Sequence, residues 1–196
     1  MDRVQCSPFE EEKLVFGYLF TERVINSIDE VKGTYSETQR SEKNFYTDVE
    51  KGVLETLPLS KEIRIPINNL FNLAHTLFER STIFRQTGGT HISGLSDGEQ
   101  LLSAFEDISR RSAVQKAIGD ALLRRKLQYT PILLTSARVN ETIVQYARRA
   151  GIKIIASHSA PTDRAVEKAE TSRITLIGFL RENRMNIYSV PERVIF

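Results

Sequence analysis

The sequence is poor in cysteine, having only Cys6, and it contains no tryptophan among its 196 residues. One cysteine excludes an internal disulfide and a cysteine-based zinc site, and it is typical of a protein in a reducing cytosol. No apolar run approaches the ~20 residues that span a bilayer. The first residues, from Met1 to Gln5, lack the basic and apolar pattern of a signal peptide. We therefore expect a cytoplasmic protein that binds no membrane and holds no structural metal.

Charge is balanced over the whole chain but not along it. The net charge is +2, yet residues 1–100 carry 11 basic and 16 acidic side chains (−5), whereas residues 101–196 carry 16 basic and 9 acidic ones (+7). This asymmetry predicts that an anionic ligand would bind to the second half. Because the basic residues are dispersed and tryptophan is absent, a nucleic-acid surface is the weaker alternative, and no nucleic-acid partner is expected.

The amino-terminal part of the sequence predicts one helix and one loop. Ser7 and Pro8, followed by three glutamates, are typical of a helix start, and we expect about four helical turns there. Residues 32–51 are polar and aperiodic, which favours a long surface loop or a mobile segment. On this basis residues 1–62 form an amino-terminal helical and loop portion, and residues 63–196 form an α/β core that carries the binding site.

The core is predicted from alternating strand and helix patterns. A short strand at residues 63–65 precedes an amphipathic helix over Ile67–Phe78, and His91–Leu95 with Leu101–Phe105 reads as a hairpin. Further on, helices and buried strands alternate: a helix from Ser112, strand Pro131–Leu134, helix Glu141–Ala150, strand Ile152–Ala156, helix Thr162–Glu170, strand Ile174–Leu180, and Met185–Tyr188 returning through a two-residue turn. Such alternation favours an α/β fold with a mainly parallel sheet.

Polar side chains follow each of the three buried strands. In open α/β sheets ligands bind outside the carboxyl ends of the strands, and hydroxyls and arginines there suit a phosphate or diphosphate. The alternative is that Ser159 and Thr162 merely cap a helix and that the arginines are solvated. The residues concerned are Ser136 and Arg138 after the first strand, Ser157, His158, Ser159 and Thr162 after the second, and Arg181, Glu182, Asn183 and Arg184 after the third.

Five ordered blocks of the sequence resemble the FdhD family of formate dehydrogenase accessory sulfurtransferases. They are the early helix Glu11–Glu22, the Thr-Gly-Gly-x-His motif at Thr87–His91, the block Glu106–Lys116, the segment Ser136–Arg138 with Glu141, and the run Ile154–Thr162 continued by Thr175–Arg181 and Arg184–Ser189.

The resemblance implies transfer of sulfur from a cysteine desulfurase to a molybdenum (or tungsten) bis-guanine-dinucleotide cofactor before its insertion into formate dehydrogenase. It also implies a homodimer and a three-layer core like that of cytidine deaminases. The residues that it implies as cofactor contacts are Gly88, Gly89 and His91, together with Phe179, Leu180, Arg181, Glu182, Asn183 and Arg184 of a Phe-x-Arg-x-x-Arg motif.

The sequence departs from the family in the residues that would carry sulfur. The family has a Cys-x-x-Cys loop before the Ile67–Phe78 helix, but residues 33–62 contain no cysteine. A persulfide needs a thiolate, for which no oxygen or nitrogen side chain substitutes. Ser109, Arg111, Ser112 and Gln115 also differ from the family's block. The zinc ligands of a deaminase, His-x-Glu and Pro-Cys-x-x-Cys, are absent from the sequence as well.

Three functions therefore stay open. The first is a cofactor-binding accessory protein, the second an enzyme with sulfur on Cys6 or on a partner's cysteine, and the third a structural or regulatory homologue that is inactive in sulfur transfer. Cys6 precedes a predicted helix start, which would favour a thiolate, but a small apolar packing role is preferred.

Other single residues leave alternatives. His75 is expected to be structural, and His91 is equally suited to ligand contact and to packing. Glu106 and Asp107 suit either acid–base chemistry or support of the following turn.

Overall fold

Buried apolar segments form the strands of a central sheet. Helices alternate with these strands along the chain and pack on the two faces of the sheet. The computed structural model describes residues 2–39, 42–51 and 62–196. Their α-helices are α1 (Glu11–Thr21), α2 (Ile67–Glu79), α3 (Ile83–Thr87), α4 (Arg110–Leu123), α5 (Glu141–Arg149) and α6 (Asp163–Thr171). Their strands are β1 (Val31–Gln39), β2 (Glu42–Val49), β3 (Ile65–Pro66), β4 (His91–Ser96), β5 (Leu101–Asp107), β6 (Ile132–Thr135), β7 (Ile154–Ser157), β8 (Thr175–Arg181), β9 (Arg184–Ser189) and β10 (Val194–Ile195).

The main sheet has six strands in the order β5-β4-β6-β7-β8-β9. Only the pairs β6–β7 and β7–β8 are parallel, while β4–β5, β4–β6 and β8–β9 are antiparallel. The prediction of a mainly parallel sheet is therefore wrong, and the sheet is mixed. Two hairpins with short connections, β4–β5 and β8–β9, lie at its two edges, and a short connection permits only antiparallel pairing.

Helices cover both faces of this sheet. Alternate residues along a strand point to opposite faces. In β6, Ile132 and Leu134 pack in a cluster with Leu70 and Leu77 of α2. Leu133 packs in the other cluster, which contains residues of α4, α5 and α6. A mixed α/β fold with three layers results, and its likeness to cytidine deaminases stays a prediction.

Helix α1 packs on the side of α4 that faces away from the sheet. A Cβ atom on Gly17 would lie 1.9 Å from the carbonyl oxygen of Gln115, and one on Gly119 would lie 1.9 Å from that of Lys13. The two backbones therefore approach more closely than any larger side chain would permit. Residues Ser112 to Leu122 of α4 are buried in consequence, because α1 covers the face that the sheet leaves open.

The first helix is shorter than predicted, because Ser7 is engaged elsewhere. Its backbone N–H donates to Asp107 Oδ2 at 3.1 Å, and its hydroxyl oxygen accepts from the N–H of Ile108 at 3.0 Å. Ser7 is therefore not the cap of α1, which begins at Glu11 and has three turns rather than four.

The predicted loop over residues 32–51 is also wrong. Strands β1 and β2 pair antiparallel there, with Tyr35 opposite Tyr46 and their rings stacked 4.8 Å apart. Most of the hairpin's described side chains are exposed or half-buried, so the sequence lacks the alternation of apolar and polar residues that identifies a strand with one buried face.

The proposed boundary between residues 62 and 63 borders residues 52–61, which lie outside the described ranges. The division into two portions accordingly stays a prediction. Among the described residues, no helix has both the length and the apolar character needed to cross a membrane.

Candidate functional site

The polar strand ends lie together at one edge of the main sheet. The parallel strands β6, β7 and β8 all end there. Because β4 runs antiparallel to its neighbours, it begins at this edge and β5 ends there too. Helices α4, α5 and α6 follow β5, β6 and β7, so their amino termini lie at the same edge. Helix amino termini carry partial positive charge, which makes this edge suitable for an anion.

Hydroxyl groups and one backbone bond join the ends of three strands. Ser157 Oγ donates to the carbonyl oxygen of Ala137 at 2.7 Å, and Ser159 Oγ donates to that of Ser136 at 2.8 Å. The N–H of Phe179 in turn donates to the Ser159 carbonyl at 3.2 Å. The ends of β6, β7 and β8 are thus held as one unit.

A glycine allows β8 to approach its neighbour at this point. A Cβ atom on Gly178 would lie 2.8 Å from Cδ of Pro161 and 3.2 Å from the carbonyl oxygen of Ser159. The next residue, Phe179, has a left-handed backbone with φ of 54° and lies in a register shift between β8 and β9. Its side chain is partly exposed at the edge rather than packed in the sheet.

Exposed arginines lie around these strand ends. Arg181 and Arg184 are directly opposite each other across the β8–β9 hairpin, which confirms the predicted turn at Glu182 and Asn183. The left-handed residue of that turn is Glu182, with φ of 42°, although asparagine tolerates this backbone conformation better than glutamate does. Arg138 follows β6 and is exposed. None of these three arginines has a carboxylate partner within residues 2–39, 42–51 and 62–196.

His158 follows β7 and is half-buried against an aromatic side chain. Its ring meets Phe78 of α2 edge-on, with centroids 5.0 Å apart, and Phe78 also contacts Phe84 of α3 at 5.9 Å. Burial, and then the positive charge of Arg181, lower the pKa of His158 below the usual 6.5. The imidazole is therefore neutral at pH 7, and it can hydrogen-bond a ligand without carrying charge itself.

His91 is the first residue of β4, and the charges of Arg110 and Arg138 act on it. Burial, followed by the charges of Arg110 and Arg138, lowers the pKa of His91, while Asp107 acts in the opposite direction. Among the described residues its Nδ1 atom is buried without a hydrogen-bond partner. The contribution of Arg110 was missed by sequence reasoning, because only the antiparallel register of β5 and β4 places it here.

Glu106 fixes the segment that contains Gly88 and Gly89. Its carboxylate accepts hydrogen bonds from the backbone N–H groups of Thr82 (2.9 Å), Ile83 (3.0 Å) and Phe84 (2.6 Å), and from the hydroxyls of Thr82 (3.0 Å) and Thr90 (3.2 Å). Burial alone would raise the pKa of Glu106, but these backbone bonds outweigh it and hold the pKa below 4.5. This arrangement supports a structural role for Glu106. The segment that Glu106 supports is residues 82–90, before β4, and not the turn that follows Glu106 in the sequence.

Asp107 and Lys116 form a fully buried ion pair, with 2.7 Å between Nζ and Oδ2. The carboxylate also accepts from the N–H groups of Ser7 and Ser109, so the pair fastens the amino-terminal segment to the start of α4. Cys6 lies beside it and is half-buried. Burial first, and Asp107 second, raise the pKa of the Cys6 thiol. Because α1 begins only at Glu11, the predicted stabilisation of a thiolate by a helix start does not apply.

The structure separates the predicted site residues into two groups. The first group meets at the sheet edge, as described above, and consists of His91, Ser136, Arg138, Ser159, Phe179, Arg181, Glu182, Asn183 and Arg184. Others serve the fold: Ser157 is fully buried, Leu180 is 2% exposed within the core, and the Thr162 hydroxyl caps α6 by accepting from the N–H of Ala165 at 3.3 Å. Gly88 and Gly89 are exposed in the connection between α3 and β4.

Two further expectations concern histidine and metal. His75 is exposed on α2 and lies 3.5 Å from the carboxylate of Glu79, so it does not pack in the core. In the described part of the chain, no three of the His, Cys, Asp and Glu side chains lie close enough together to hold a metal ion.

Comparison with known proteins identifies the family. A model of the FdhD/NarQ family matches residues 34–195. The sulfur carrier protein FdhD of Sulfurisphaera tokodaii is 36% identical, covering 98% of this chain and 83% of its own, and that of Sulfolobus acidocaldarius is 34% identical, covering 97% and 83%. A provisionally assigned formate dehydrogenase accessory protein from Desulfotalea psychrophila, solved by crystallography, superposes with a TM-score of 0.83 at 27% identity, covering 97% of this chain and 82% of its own. The chain therefore belongs to the FdhD/NarQ family.

Proposed function

We propose that this protein is a formate dehydrogenase accessory protein that binds the guanine-dinucleotide part of a molybdenum or tungsten cofactor at the polar edge of its sheet. The names of its relatives and of the superposed structure supply the context of sulfur carriage and of formate dehydrogenase. The cofactor is cargo that the protein receives and passes on, not a resident group.

The observation that carries the proposal is the pair of arginines in the β8–β9 hairpin. Arg181 and Arg184 are exposed and lie opposite each other in the strand register. Neither forms a salt bridge with a carboxylate among the described residues. Side chains of directly opposed residues lie on the same side of a hairpin. Two permanently charged, forked groups so placed are suited to bracket a diphosphate with bidentate hydrogen bonds. The amino terminus of α6, which follows β7, provides further donors at the same edge.

The first test is calorimetric titration with GDP, which represents half of the bis-dinucleotide. We expect Arg181→Ala and Arg184→Ala each to weaken GDP binding by about 1.5–3 kcal/mol, which is the range for hydrogen bonds to charged groups. Arg148→Ala serves as the control, because Arg148 is exposed in the last turn of α5, at the far end from the sheet edge. Affinities of both hairpin variants within twofold of the wild-type value would remove the basis of the proposal.

Sulfur transfer is a separate question, because the chain has one cysteine. The half-buried thiol of Cys6, with its raised pKa, is a poor sulfur acceptor, because the attacking species is the thiolate. We therefore propose cofactor binding without persulfide formation on this chain. After incubation with a cysteine desulfurase and cysteine, mass spectrometry should find no persulfide on Cys6. Detection of a stoichiometric persulfide would favour an enzyme that uses Cys6.

The same cysteine allows a control on the binding site. We expect Cys6→Ser to leave GDP affinity unchanged, since Cys6 lies beside the Asp107–Lys116 pair and not beside the hairpin arginines. A tenfold loss of affinity in a folded variant would place the thiol region in the site.

A homodimer and a cytoplasmic location stay predictions. Sedimentation at micromolar concentration should give a species of twice 22.3 kDa, and a purely monomeric boundary would contradict the dimer. If GDP does not bind at all, the alternative of a structural or regulatory homologue takes precedence.

A further inference from the structure

We propose that His91, Arg110 and Arg138 form a second binding subsite for a phosphate-type oxyanion, distinct from the arginine pair of the β8–β9 hairpin. The subsite belongs to the same sheet edge, so its place in a cofactor-binding protein rests on the proposed function. Its own chemistry rests on the residues around His91.

The strand register brings these three residues together. His91 is opposite Asp107 in the β4–β5 ladder, and Arg110 is the first residue of the helix that follows β5. On the other side of β4, Ile92 and Ser136 exchange two hydrogen bonds of 3.0 and 2.9 Å, and Arg138 lies two residues beyond Ser136. One arginine therefore approaches His91 from the β5 side and the other from the β6 side.

No described carboxylate forms an ion pair with either arginine. Arg110 is half-buried and Arg138 is exposed, and both are without a salt bridge within residues 2–39, 42–51 and 62–196. The acidic group that acts on His91 is Asp107, whose carboxylate already forms an ion pair with Lys116. Two unpaired cations near one site repel each other, and an anion bound between them would relieve the repulsion.

The imidazole of His91 supplies the third group. Its Nδ1 atom is buried and has no partner among the described residues, and such an atom costs free energy unless a ligand or water satisfies it. Burial first, and the charges of Arg110 and Arg138 second, lower the pKa of His91, so the neutral ring has one donor nitrogen and one acceptor nitrogen. An anionic phosphate oxygen accepts a hydrogen bond where a ring nitrogen carries the proton, and a protonated phosphate oxygen donates one where it does not.

The two subsites are separated along the sheet. Strands β6 and β7 lie between β4 and β8. Neighbouring strands are about 4.8 Å apart, so the two subsites are separated by roughly 14 Å. Each subsite contains a different histidine. The charge of Arg181 contributes to the lowered pKa of His158, whereas the charges of Arg110 and Arg138 contribute to the lowered pKa of His91. The edge can therefore hold one ligand with two distant anionic groups, or two separate anions.

Histidine NMR provides the test, because the three histidines of the chain report on three places. The probe is inorganic phosphate, added at constant ionic strength against chloride. A bound phosphate cancels the field of the two arginines, so we expect the pKa of His91 to rise by about 0.5–1. His75, which is exposed on α2, should not respond and serves as the internal control.

Variants then assign the response to the arginines. In Arg110→Gln/Arg138→Gln the pKa of His91 should already be higher without phosphate, and phosphate should no longer change it. Arg148→Gln should behave like the wild type. A wild-type His91 whose titration is unaffected by phosphate would overturn the proposal, as would a response that persists undiminished in the double variant.

A GDP arm separates this proposal from the proposed function and identifies the source of the anion. If GDP raises the pKa of His91, a phosphate of the nucleotide reaches the second subsite. If GDP changes only His158 while inorganic phosphate changes His91, the second subsite takes a separate phosphate group. Absence of GDP binding with an intact phosphate response would reject the proposed function alone. GDP binding without any phosphate response at His91 would reject the second subsite alone.

Discussion

At the scale of single residues, Glu106 performs a role that its sequence neighbours do not reveal. Thr82 is at the amino terminus of α3, but its side chain accepts no capping hydrogen bond there. The carboxylate of Glu106 takes this role and accepts hydrogen bonds from the first N–H groups of the helix. The donors come from residues 82–90, some 20 positions earlier in the chain. The sequence around Glu106 shows only an acidic pair at a strand end. The hydrogen-bond donors of Glu106 are brought to it by the fold, and their spacing in the sequence does not reveal them.

We expect Glu106→Gln to destabilise the protein by about 1–3 kcal/mol, because the amide keeps one acceptor oxygen and leaves buried N–H groups without a partner. Urea unfolding at pH 7 measures this difference, with the exposed Glu99→Gln as the control.

The same variant should also change the pH dependence of stability. The pKa of Glu106 is lowered in the folded protein, so its contribution is complete above the ordinary value of 4.5 and is lost as the pH falls through the folded-state value. The difference in the free energy of unfolding between the wild type and Glu106→Gln should therefore decrease only below pH 4.5. A difference that is the same at pH 7 and in strong acid would contradict the role of the charge.

The buried pair of Asp107 and Lys116 gives another residue-scale prediction. Lys116→Met leaves a carboxylate buried without its cation, and we expect a loss of about 3–5 kcal/mol in the free energy of unfolding. Adding Asp107→Asn should recover part of that loss, because the uncompensated charge is removed. Denaturant unfolding of both variants checks this. A double variant less stable than the sum of the two single changes would argue against a coupled pair.

At the scale of elements, most of the second half could be predicted from sequence. Helices and strands with one apolar face or a fully buried run have strong periodicity, and α2, α4, α5, α6 and β6–β9 lie close to their predicted ranges. The β1–β2 hairpin could not be predicted, because most of its side chains face solvent and leave no alternation. The five-residue helix α3 was missed for a related reason, since it buries none of its residues.

The turn between β8 and β9 contains a conformation that its residues do not favour. Glu182 has φ of 42°, in the left-handed region that costs a residue with a Cβ atom free energy. We expect Glu182→Gly to stabilise the protein by about 0.5–1 kcal/mol, the gain from relieved strain being reduced by the greater freedom of glycine in the unfolded chain. Thermal unfolding measures it. Asn183→Gly is the matched control and should not stabilise, because Asn183 is not in that region.

At the scale of the whole molecule, the uneven charge and the site agree. The arginines and histidines of both subsites come from residues 91–184, almost all of them within the half of the chain that carries the excess of basic residues. The sequence thus predicted that three polar strand ends lie at one edge of the sheet, while ligand binding there stays a prediction. It could not predict that β4 and β5 also reach the same edge, because that depends on the order of strands in the sheet.

Because charge drives the proposed binding, salt should act on it selectively. Added salt screens exposed charges, so it should weaken GDP binding several-fold in the wild type and much less in Arg181→Ala/Arg184→Ala. Calorimetry at low and high salt, with chloride as the anion, makes the comparison. Equal salt dependence in both proteins would mean that the hairpin arginines do not contact the phosphates.

The arrangement of strand ends has a consequence for biosynthesis. The edge is assembled from segments near residues 91, 110, 138, 158 and 181, and the β8–β9 hairpin supplies the last of these segments in chain order. During translation the segments from β4 to β7 emerge first, and the arginine pair of the hairpin follows them. A nascent chain that has not yet formed β8 and β9 would therefore lack the hairpin subsite, so cargo could bind there only after Arg184 has been made.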